Sequence, residues 1–132
     1  MTVLTKDRET AYRPGEDYHD PVAAAVVVFA GALCVLDAAG NLAPGSTATG
    51  LVARGVAQEY VDNSDGAAGD LSASTRSGTF RFINEGDIDR THIGDDAYIT
   101  DDQTVTAVAT GRSVAGKIDD VDSYGVWVKV GK

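Results

Sequence analysis

From Val22 onward, no apolar run in this chain continues for long before Gly, Pro, Asn or Asp interrupts it. The interruptions recur at a spacing of roughly 8 to 12 residues, which leaves no room for a long amphipathic helix and fits a succession of short strands. That spacing predicts an all-β fold, a small β-barrel or β-sandwich of jelly-roll-like type.

The strands can be placed on the sequence. AVVVF (25–29) and ALCVLD (32–37) read as buried strands parted by Ala30-Gly31, and AAGN (38–41) reads as a turn. LVARGVAQEYV (51–61), DLSASTR (70–76) and TFRFI (79–83) follow, the last alternating so that Phe80 and Phe82 share a face. Residues 87–92 have room for one helical turn. AYIT (97–100), TVTAVA (104–109), RSVAGKI (112–118) and YGVWVKV (124–130) complete the set, with Asp101-Asp102-Gln103 as a hairpin turn. The last strand is expected to turn Val126, Val128 and Val130 inward and Trp127 and Lys129 outward. Gly55-Val56-Ala57 leading to Val61-Asp62 resembles Gly116-Lys117-Ile118 leading to Val121-Asp122, a faint internal echo.

Residues 1–20 differ in kind. They carry charges of both signs, include Pro14-Gly15 and show no period of 2 or 3.6, so they read as an extended N-terminal arm preceding a single β domain at 21–132. A segment of this composition orders itself only against a neighbour. Its lack of an apolar core argues against a secretory signal, and the longest apolar stretch, 22–36, is shorter than the ~20 residues of a membrane helix. No membrane partner is expected.

With 132 residues the chain has the size of one domain. Its net charge of −9 repels phosphate backbones, and without a Lys/Arg cluster no nucleic-acid partner is expected. The single cysteine, Cys34, sits inside ALCVL and reads as a buried thiol, with no second cysteine for an intramolecular disulfide.

VDNSDGAAGD (61–70) suggests a calcium loop, but setting Gly66 at the sixth position puts Val61 first and Ser72 twelfth, where an oxygen ligand and a bidentate Glu are required. It reads as turn chemistry, in which Asx side chains cap their own backbone. Cys34, His19 and His92 have none of the spacings of a zinc site. No nucleophile elbow, Walker loop or dinucleotide motif occurs, so neither catalytic residues nor a cofactor are expected. GKIDDVDSYGVWVKV (116–130) and Thr75-Arg76-Ser77-Gly78 are similar to two motifs of trimeric dUTPases, the alternative reading as a nucleotide hydrolase. Val121 and Ser123 interrupt the first motif, the second lacks its proline, and the Gly-rich C-terminal phosphate clamp is absent.

Taken in order, TKDRETAYRPGEDY (5–18), VAAAVVVFAGALCVLDAAGNLAPG (22–45), ARGVAQEYVDNSDGAAGD (53–70), GTFRFIN (78–84), IGDDAYITDDQTVT (93–106) and AGKIDDVDSYGVWVKV (115–130) resemble the head decoration, or capsid cement, proteins of tailed double-stranded DNA phages of the Mu-like transposable type. The resemblance covers nearly the whole chain. It implies a non-enzymatic homotrimer, folded in the host cytoplasm, that binds the major capsid protein on the outer surface of the head and stabilises it. The apolar, aromatic and arginine residues of the arm, Val3, Leu4, Arg8, Tyr12, Arg13 and Tyr18, are the expected capsid contacts. A β-module of a tail or baseplate is a further alternative.

Overall fold

The computed structural model describes residues 3–9, 11 and 15–131. Twelve strands follow in order: β1 (Asp17–Pro21), β2 (Val27–Val28), β3 (Leu33–Leu36), β4 (Leu42–Pro44), β5 (Val52–Ala57), β6 (Val61–Asp62), β7 (Ser72–Arg76), β8 (Gly78–Asn84), β9 (Asp96–Ile99), β10 (Thr104–Thr106), β11 (Val114–Asp122) and β12 (Gly125–Val130). One 3-10 turn, Arg90–His92, lies between β8 and β9. The fold is all-β, built on a small closed barrel.

The barrel closes in the order β10-β8-β12-β11-β9, with β9 returning to β10. Its pairs are antiparallel except β8 with β10. Register shifts in β11 at Val114/Gly116, against β9, and at Ile118/Asp120, against β12, bend the longest strand so that it serves both neighbours. A second sheet, β1-β7-β5-β3-β4, packs beside the barrel, and β2 with β6 forms a two-stranded ribbon. The chain passes from sheet to barrel at buried Ser77, whose backbone N–H donates to the Glu16 carbonyl at 2.7 Å.

Strand β3 is apolar on both faces because each face is covered. Leu33 and Val35 join the main core with Ile99, Val105, Ile118 and Val126, while Cys34 turns the other way among Val22, Val28, Leu42 and Val61. A strand covered on both sides reads as an unbroken apolar run, as LCVL does. β12 shows the opposite pattern. Val126, Val128 and Val130 are fully buried, each contributing about 1.5–3 kcal/mol, and Trp127 and Lys129 face outward as the alternation predicts.

The Cys34 thiol has its pKa pushed up to about 12, first by burial and then by the Asp102 charge. The folded protein should therefore leave Ellman's reagent unreacted near pH 8, whereas unfolded chain should titrate one thiol. Rapid labelling of folded protein would contradict this burial.

Several boundaries differ from the sequence reading. Residues 17–20, grouped there with the arm, form most of β1, which runs antiparallel to β7 from Asp17↔Arg76 to Pro21↔Ser72. The stretch 25–29 contributes only two strand residues, because Ala25 adopts φ +62. The stretch 51–61 is two strands, β5 and β6, parted by exposed Gln58, Glu59 and Tyr60 and assigned to different sheets. β10 stops at Thr106. β11 continues to Asp122, since its ladder with β12 persists through polar residues. The internal echo joins unlike pieces, because Val61-Asp62 is a separate strand while Val121-Asp122 ends β11.

Candidate interaction surfaces

The arm meets the fold at β1, an edge strand of its sheet. Tyr18 is half-buried there, its hydroxyl donating to the Gly15 carbonyl at 2.8 Å. The Arg54 guanidinium lies 3.7 Å from the centre of the Tyr18 ring and donates to both carboxylate oxygens of Asp20, at 2.9 and 3.1 Å. A planar fork held by two acceptors and an aromatic face is a well-oriented arginine. These contacts fix the root of the arm. Sequence reasoning missed Arg54, although a cation within a strand that alternates toward the core signals a carboxylate partner.

The expected contact residues fall into three groups. Val3 and Leu4 are 83% and 71% exposed, and Arg8 is exposed beside them. Tyr18 is engaged in the fold as described. Tyr12 and Arg13 lie outside the described residues.

The loop after β6 is organised around Asn63. This side chain is 2% exposed, and its amide donates to the carbonyls of Ala23 at 2.9 Å and Ala67 at 3.1 Å, with a longer contact to Val22 at 3.4 Å. Asp62 accepts from the Ser64 N–H, and Asp70 from the Ala67 N–H. Hydrogen bonds from Ser64 hold the Asp62 carboxyl below its usual range. The carboxylates therefore cap local backbone. Among the described residues no three His, Cys, Asp or Glu side chains converge as a metal site requires.

The residues similar to the dUTPase motifs have structural partners. Arg76 pairs with Asp17 at 2.8 Å, and the Ser77 hydroxyl lies 3.4 Å from the carbonyls of Gly15 and Glu16. Asp122 closes the two-residue hairpin between β11 and β12, accepting from Trp127 Nε1 at 2.9 Å, Tyr124 N at 2.7 Å and Gly125 N at 3.1 Å. Those bonds, led by the Trp127 indole, lower its pKa.

No family model, curated protein or solved structure matches this chain. Outside the arm, exposed aromatics occur at two places. On the barrel wall Arg81 lies 5.5 Å from the Tyr124 ring and 5.6 Å from the Trp127 ring. Beyond the end of β5, Phe29 and Tyr60 pack with tilted rings, 5.4 Å between centroids, both more than half exposed. No helix among the described residues is long and apolar enough to cross a membrane.

Proposed function

We propose that this protein is a non-catalytic structural component of a virion, a decoration protein that binds the outside of a phage head as a homotrimer and cements major capsid subunits. One observation supports this most directly: Val3 and Leu4 are exposed, and they precede an edge strand, β1, that is anchored to the fold through Asp20 and Arg54. Apolar side chains held in water on a tethered segment gain by docking elsewhere, and an extended segment docks on another protein readily by adding a strand. Three arms on one trimer raise avidity without a strong single contact. Binding the assembled shell and not its dissociated subunits shifts the equilibrium toward the shell. The structural partners of Arg76, Ser77 and Asp122 favour this reading over nucleotide hydrolysis.

Because Gly15 and Glu16 accept hydrogen bonds from Tyr18 and Ser77, the arm should be cut before Gly15. Deleting residues 1–14 is expected to leave the β fold intact by circular dichroism and to abolish cosedimentation with undecorated heads. Full head binding by the truncated protein would remove the arm from this role. Retention on isolated tails instead of heads would move the protein to the tail.

A further inference from the structure

Strand β5 has an apolar groove at its beginning and an exposed aromatic pair beyond its end. The groove, about 560 Å³, opens between Gly50–Ala53 and Arg112–Gly116. Val52 and Val114 line it while 60% and 40% exposed, so the floor of the groove is apolar and wet. Its one charged lining residue is Arg112. The Nη1 of that residue donates to the Thr110 carbonyl at 3.3 Å, but its Nε is buried without a hydrogen-bond partner among the described residues. A carboxylate is the partner that best matches the guanidinium of an arginine lining an apolar groove.

The aromatic pair is a knob with the complementary chemistry. Phe29 and Tyr60 pack against each other with tilted rings while 59% and 57% exposed, and Glu59 is exposed next to Tyr60. Backbone bonds from Gly31 to Ala57 and from Ala57 to Ala32 tie the Phe29 turn to the end of β5. The five-residue step from Val52 to Ala57 spans roughly 17 Å of extended backbone. A knob that far from the groove on the same strand cannot fill it within one chain. Two different complementary patches on one molecule make a head-to-tail contact, which closes into a ring when the rotation permits.

We infer that the Phe29–Tyr60 knob of one copy seats in the Val52–Val114 groove of a second copy, with Glu59 facing Arg112. This contact rests on the trimeric reading above and names the surfaces that would build the trimer. It leaves the arm free for the shell.

The test uses full-length protein in sedimentation equilibrium at about 100 μM, well above the micromolar range of weak specific interfaces. Wild type is expected at three times the 13.7 kDa chain mass. Phe29→Ala combined with Tyr60→Ala, and separately Val52→Asp, should each reduce it to one chain mass with unchanged circular dichroism. Mixing these two variants should give a 1:1 complex and nothing larger, because each retains the face the other lacks. Arg112→Glu should also give single chains, and adding Glu59→Arg should restore the oligomer. A monomeric wild type, variants of unchanged mass, or no complex on mixing would each overturn the contact. Head binding is scored separately: a monomer that cosediments with heads removes this contact and keeps the attachment, whereas a trimer that ignores heads does the reverse.

Discussion

Replacing Gly116 with alanine is expected to lower stability by about 3 kcal/mol, at the upper end of what overpacking costs. A Cβ at this position would lie 2.0 Å from the Lys129 carbonyl oxygen and 2.8 Å from its carbon. Both are backbone atoms of β12 and cannot rotate away. Nor can β11 retreat, since Gly116 is paired with Val130 on one side and Ala97 on the other. Gly50→Ala provides the contrast. There φ is +75 and nothing lies within 4 Å of the added carbon, so only left-handed backbone strain remains, about 1 kcal/mol. Urea denaturation of both variants checks the argument, and the Gly116 variant should also melt roughly 10 °C below wild type. If it is no less stable than the Gly50 variant, the close approach of β11 to β12 is wrong.

The strands legible in the sequence are those whose burial matches a simple period. β8 and β12 alternate because one face lines the barrel, and β3 is continuous because both faces are covered. The Asp101–Gln103 turn was equally legible, with Asp101 accepting from the Gln103 N–H at 2.9 Å. β1 was hidden because DYHDP is an edge strand whose partners are polar: His19 meets Ser74, and Asp20 meets Arg54. An edge strand with one solvated side needs no apolar stripe, so its composition looks like that of an arm. β4 was hidden by Pro44, which an edge position tolerates. The candidate surfaces were the least legible. Phe29 read as part of a buried strand because AVVVF is uniformly apolar, yet it turns outward just before the Ala30-Gly31 turn. Nothing local in a sequence distinguishes a core phenylalanine from one packed against a tyrosine thirty-one residues later.

Asn63→Ala is expected to cost about 2 kcal/mol, less than the Gly116 change, because it removes a buried amide from carbonyls that are only partly shielded from water. The Asn63 amide serves Ala23 and Ala67, joining the segment after β1 to the loop after β6. Gly66 allows that approach, since a Cβ there would lie 2.0 Å from Asn63 Oδ1. Asn63→Asp discriminates further. Its carboxylate would be buried against carbonyl oxygens, so the folded pKa of the new group must rise above the ordinary value of about 3.9. A group raised in the folded state contributes favourably below its unfolded pKa, and that contribution is lost as pH rises through the folded value. The gap between this variant and wild type should therefore widen from pH 4 to pH 7 in paired urea titrations. A gap that stays constant would mean the side chain has reached water and the loop has opened. Calcium should not close the gap, because among the described residues no three His, Cys, Asp or Glu side chains converge as a metal site requires. The loop's shape then belongs to one buried amide, and its aspartates are there to cap backbone.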